Sequence, residues 1–83
     1  MNAEQVQVLV EAGFDDAEVA VQGEGGKFQV RVVSSAFEGL TTVRKQQLVY
    51  ACLNEAIGNG SIHAVEMATY TPEQWAELQQ QNS

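Results

Sequence analysis

The chain is poor in the residues on which self-contained chemistry usually rests. It has one cysteine, one histidine, one proline and one tryptophan, and four basic residues against eleven acidic ones. With Cys52 alone, no internal disulfide can form. One Cys and one His cannot supply the four ligands of a closed zinc or iron–sulfur site, so any cluster would have to be shared with a second molecule. No apolar run approaches the roughly 20 residues that span a bilayer. The opening stretch MNAEQVQVLVEAG carries Glu4 and no base ahead of its short apolar run. That is not a secretory signal, and the expected compartment is the cytoplasm, with no membrane partner.

Positive charge is scarce and unevenly placed. The net charge is −7, which disfavours nucleic acid as a partner, because that affinity comes mostly from neutralising phosphates. Residues 1–26 hold Glu4, Glu11, Asp15, Asp16, Glu18 and Glu24 and no base. All four bases (Lys27, Arg31, Arg44 and Lys45) fall between 27 and 45, where Glu38 is the one acid. Such a window could meet an acidic partner surface, although scattered solvated charge is its first reading.

What remains reads as one small domain over 1–83, large enough to bury roughly 60–65% of its unfolded surface. In EQVQVLVEA, Val6, Leu9 and Val10 fit one helical face, with Asn2 as N-cap and Gly13 at C′. AEVAVQ (17–22) alternates, a four-residue Gly-rich connection follows, and KFQVRVVS (27–34) resumes with Phe28, Val30 and Val32 inward, which makes a hairpin. SAFEGLTT has room for one short helical turn. Residues 42–57 form the longest helix, with Val43, Val49, Leu53, Ala56 and Ile57 as its stripe and Gly58 and Gly60 as its stop. HAVEMAT is a third strand. TPEQWAELQQ is a last helix, with Thr71 as N-cap, Pro72 at N1 and Gln74 closing a capping box. The polar QQQNS end is expected to fray. The order is helix, strand, strand, helix, strand, helix: an α+β fold, with helices covering one face of a three-stranded sheet.

Few motifs survive inspection. GEGGK is not a phosphate loop, because Val21 stands where the first Gly belongs and Phe28 follows the Lys. Gly23–Gly26 has the letters of a GxxG clamp, but it joins strands and not helices. Cys52, mid-helix between Ala51 and Leu53, reads as a small core hydrophobe. Tyr50, Tyr70 and Trp75 read as core and edge aromatics, and their spacing is not that of a base-stacking platform. The carboxylates are too spread to argue an acid/base pair, and no nucleophile, base and oxyanion donor can be assembled. His63 is left. A lone His at a strand entrance is structural before it is a ligand, yet it shares the phase of Val65 and Met67 and so sits at the lip of the core.

The later half carries a recognisable pattern. Phe37-x-Gly39, Arg44-Lys45, Val49-Tyr50, Leu53, Ile62-His63-Ala64 and Thr71-Pro72-Glu73-x-Trp75, with Gly23-x-Gly25-x-x-Phe28 before them, resemble the BolA-like family, nearer its IbaG branch. The resemblance implies a fold like a class II KH domain and a cytosolic CGFS monothiol glutaredoxin as partner. It also implies a [2Fe–2S] cluster shared with that glutaredoxin and glutathione, with His63 as the ligand from this side and no cofactor in the isolated protein. Imidazole in place of thiolate raises a cluster's potential. One position departs from the pattern. Members of this branch usually carry a His, and others a Cys, in the hairpin loop just before the Phe, and here that position is Lys27. A protonated Lys has no lone pair for iron. Either His63 serves alone, or the complex with glutaredoxin is mainly apo and Lys27 pairs with glutathione or a partner carboxylate. The family is also linked to transcriptional control, for which Arg44 and Lys45 are the natural contacts. An ordinary helix surface is the first reading of that pair, partner docking the second and DNA the third. The expectation is a non-enzymatic adaptor in iron–sulfur trafficking, iron homeostasis or stress response, monomeric or weakly dimeric alone. A KH-like nucleic-acid-binding regulator is the alternative.

Overall fold

The structure, a computed structural model, describes residues 1–81. Helix α1 spans Ala3–Glu11. Asn2 Oδ1 accepts from the Gln5 N–H at 2.8 Å while Gln5 Oε1 accepts from the Asn2 N–H at 2.9 Å, a reciprocal capping box. A strand would have put Val6, Val8 and Val10 on one face. Val6 and Val10 are buried while Val8 is 63% exposed, as a helix requires. Gly13 follows the cap residue Ala12 as expected, but it does not adopt the left-handed conformation. It is small for another reason: a Cβ there would run into the Cys52 sulfur.

Strands β1 (Ala17–Glu24) and β2 (Lys27–Ser34) pair antiparallel, closing with Glu24 opposite Lys27. The connection is therefore the two residues Gly25 and Gly26, at φ 65° and 80°. Two successive left-handed residues make the turn whose twist matches a hairpin, and they do so without a Cβ penalty. The four-residue Gly-rich connection read from the sequence is thus shorter, because Gly23 and Glu24 stay in the ladder. Ser34 then turns the chain: its hydroxyl donates to the Asp16 carbonyl at 2.8 Å and accepts from the Ala36 N–H at 3.1 Å, capping a 3-10 turn over Ser35–Phe37.

Helix α2 spans Thr42–Gly58, capped by Thr41 Oγ1 on the Arg44 N–H, and it carries the chain over to β3 (Ala64–Tyr70). β3 lies parallel to β2, which is the central strand. Helix α3 spans Pro72–Gln81, with Thr71 and Gln74 exchanging bonds at 3.0 and 3.1 Å. Gln79 to Gln81 continue the helix instead of fraying, in keeping with the helix propensity of Gln. The fraying expected of Asn82 and Ser83 lies outside the described residues. The fold is α+β in the αββαβα order read from the sequence.

The core lies between one sheet face and two helices. Val19, Phe28, Val30 and Val32 meet Val6 and Val10 of α1 and Val49, Leu53 and Ala56 of α2. Phe37 closes the end with Phe14 edge-on at 5.4 Å. The buried stripe of α2 differs from the apolar pattern. Val43 is 61% exposed, whereas Lys45 is 7% exposed. Positions 45, 49, 53 and 56 share one face, so geometry selects Lys45 and leaves Val43 to solvent. Tyr50, read as a core or edge aromatic, is also on the outside at 43% exposure. α3 buries no residue fully. Its Trp75 reaches the sheet face opposite the core, where it covers Arg31. Among the described residues no helix is long and apolar enough to cross a membrane.

Candidate functional site

His63 is placed by three sets of local hydrogen bonds. After α2, Asn59 Oδ1 accepts from the Ser61 N–H at 2.9 Å, and the Ile62 N–H returns to the Ala56 carbonyl at 3.1 Å. Ile62 is buried and so pins the connection to the core. One carbonyl, that of Gly26 in the hairpin turn, then accepts from both the His63 N–H (2.7 Å) and the Ala64 N–H (3.1 Å). The imidazole rests directly on Gly26, where a Cβ would come within 2.6 Å of His63 Cδ2. The hairpin turn is thus the platform for the ring.

The ring itself is free. His63 is exposed, and its side chain takes part in no hydrogen bond among the described residues. Since β3 begins at Ala64, His63 stands just outside the strand, while Val65 and Met67 are half-buried against the core. A neutral imidazole in that position offers one lone pair to an electrophile or metal.

Lys27 belongs to the same end of the molecule. It opens β2 opposite Ala64, is exposed, and helps line a shallow depression of about 510 Å³ with Gly23, Phe28 and Glu66. Arg44 and Lys45 do not join them. They sit in the first turn of α2, whereas His63 follows its C-terminus, about 20 Å away at 1.5 Å per residue. Arg44 is exposed. Lys45 turns inward, its stem in the core stripe and its ammonium donating to Gln74 Oε1 at 3.1 Å. The basic window read from the sequence is therefore split between the hairpin end with Lys27, the outer sheet face with Arg31 and the start of α2 with Arg44 and Lys45.

The donor set can be weighed against a shared cluster. Among the described residues no three His, Cys, Asp or Glu side chains gather to hold a metal. Cys52 is no substitute. It is half-buried at the α1–α2 contact, its thiol directed at the Leu48 carbonyl (3.4 Å), and burial pushes its pKa up, away from the thiolate a metal needs. Of the chain's one imidazole and one thiol, His63 is thus the exposed donor, and a shared site built on it would take its other ligands from elsewhere. Sequence reasoning did not single out Arg31, which stacks on Trp75. The signal was there: alternation places Arg31 on the face opposite Val30 and Val32.

An αββαβα domain with one exposed imidazole on its hairpin platform defines a class of small α+β protein. The chain belongs to the BolA-like family. Residues 1–74 match the family described as BolA-like protein. An Acinetobacter guillouiae protein from the rpoN-murA intergenic region is 49% identical over 75 residues, covering 90% of both chains. The acid stress protein IbaG of Escherichia coli is 41% identical over 76 residues, covering 92% of this chain and 90% of IbaG. Among solved structures, a bolA protein homologue from Coxiella burnetii superposes with a TM-score of 0.80 at 28% identity, over 92% of this chain and 97% of that one. The BolA domain of SufE1 from Arabidopsis thaliana superposes at 0.74 with 28% identity, over 86% and 92% respectively.

Proposed function

We propose that this protein is a non-enzymatic cytoplasmic adaptor that docks a CGFS monothiol glutaredoxin and takes part in iron–sulfur cluster trafficking or iron sensing. The observation that carries the reading is His63: an exposed imidazole with no hydrogen-bond partner among the described residues, held by the Gly26 carbonyl and backed by the turn. His63 is the residue that would ligate a [2Fe–2S] cluster shared with the glutaredoxin and glutathione. When bound, such a cluster supplies electron transfer or is itself the cargo, and a His ligand raises its potential. The chain's own part is positional. The hairpin turn and the start of β3 hold the ring at a fixed height, and Lys27 beside it offers an ammonium to glutathione or to a partner carboxylate. Arg44, on the far end, is open to a second contact with the partner, and Lys45 next to it ties α2 to α3 through Gln74. The name of the Escherichia coli relative adds a stress-response setting.

Anaerobic reconstitution with a CGFS glutaredoxin, glutathione, iron and sulfide tests this reading. Visible circular dichroism is expected to show a heterocomplex spectrum that differs from that of the glutaredoxin alone and is lost in His63→Ala. A spectrum identical to the glutaredoxin's, with the two proteins still bound, would leave a docking module without a ligand role for His63. If the spectrum arises only in Lys27→His, the hairpin residue decides cluster sharing.

A further inference from the structure

The sheet face opposite the core carries a shallow trough. Strand register lays its side chains out in rows. Ala20, Arg31 and Ala68 form one row, and Gln22, Gln29 and Glu66 form the next. The second row is a hydrogen-bonded ladder: Gln22 Nε2 donates to Gln29 Oε1 at 2.9 Å, and Gln29 Nε2 donates to Glu66 Oε2 at 3.4 Å. The first row is low on both sides of Arg31, because its neighbours are alanines. The result is a depression of about 530 Å³ floored by Ala20 and Ala68 and walled by the ladder.

Arg31 is prepared but not used. Its guanidinium carbon lies 4.3 Å over the Trp75 ring, and Trp75 in turn packs against Tyr70 at 5.4 Å. Stacking fixes the plane of the fork without consuming its donors. The buried Nε has no hydrogen-bond partner, and no described residue accepts from the rest of the guanidinium. An oriented guanidinium with free N–H groups matches a carboxylate, which it binds through two parallel bonds. Glu66, two residues along β3 from Ala68, the strand neighbour of Arg31, lines the same depression, and among the described residues its carboxylate accepts one long bond. A cation-binding and an anion-binding group lining one trough, set two residues apart in the strand register, about 7 Å, select a ligand with both charges. Two peptide residues in extended form also span about 7 Å.

We propose that this trough binds a dipeptide-sized zwitterion, its carboxylate held by Arg31 and its ammonium by Glu66. The site is separate from the His63 platform and does not require a cluster. Trp75, the single tryptophan of the chain, is the reporter, because a carboxylate drawn onto Arg31 changes the charge stacked on its ring.

The full-length protein would be titrated with glycylglycine at constant ionic strength, following Trp75 emission and the Arg31 Nε–H cross-peak in ¹⁵N-resolved NMR. Sodium acetate and inorganic phosphate serve as comparison probes. Glycylglycine is expected to give a saturable change in both signals. Acetate, which cannot reach Glu66, should bind about tenfold more weakly, the worth of one hydrogen bond to a charged group. Glu66→Gln should lose a similar factor, and Arg31→Lys, which keeps the charge but not the fork, at least as much. Glu66→Gln leaves the stack intact, so it decides the matter if Arg31→Lys fails to fold. A response that does not saturate, that phosphate reproduces at equal strength, or that survives Glu66→Gln unchanged overturns the proposal.

Discussion

Gly26 is where backbone geometry and chemistry meet at the scale of single residues. It is left-handed, its carbonyl holds two N–H groups, and its missing Cβ is the space the imidazole occupies. Gly26→Ala therefore has two consequences that can be read separately. The left-handed conformation costs about 1–2 kcal/mol for a residue with a Cβ, which should lower the urea midpoint. The new methyl also displaces the ring, so the His63 NMR signals should shift while those of the core strands stay in place. Gly25→Ala carries the first penalty without the second, since nothing lies within 4 Å of its Cβ. If both variants move His63 equally, the ring is not seated on the turn.

Helices differ in how firmly the fold holds them. α1 and α2 bury their stripes in the core, whereas α3 is tied down by Trp75 on Arg31, by the Tyr70 contact and by Gln74 on Lys45. Lys45 links the two kinds: its stem packs in the α2 stripe like an aliphatic side chain, and its ammonium reaches α3. Lys45→Met keeps the volume and should change stability by less than about 1.5 kcal/mol. Lys45→Glu places an acid at the same buried position and should cost several times more. Chemical denaturation compares the two. A large loss in the Met variant would show that the bond to Gln74, not packing, is what holds α3.

Charge acts on the molecule as a whole. The chain carries −7, so self-repulsion opposes the compact state. Melting temperature should rise as salt is added from low ionic strength to about 0.15 M, where the screening length falls to about 8 Å. A fall on adding salt would mean that attractive pairs dominate. The same field weighs on the nucleic-acid alternative, for which Arg44 is the one exposed cation of the Arg44–Lys45 pair. With the four bases divided between a hairpin end, a sheet face and the start of α2, they do not form one stripe along a backbone.

Much of this was legible in the chain by itself, because it depends on neighbours in sequence. Alternation defined the strands, Asn2, Thr71 and Pro72 marked helix starts, and the count of one Cys and one His excluded a self-contained four-ligand zinc or iron–sulfur site. Val43 and Lys45 show where such reading stops. Hydrophobicity ranks Val43 as core, but the helix face that meets the sheet is set by strand positions far away in sequence, and it takes Lys45 instead. In the same way, only tertiary packing could bring Gly26 beneath His63, 37 positions apart, lay Trp75 over Arg31, and move Arg44 away from Lys27. Local patterning decides which elements form. Which side chains meet is decided by how the elements dock, because that is where apolar burial and backbone pairing across the sheet are satisfied together.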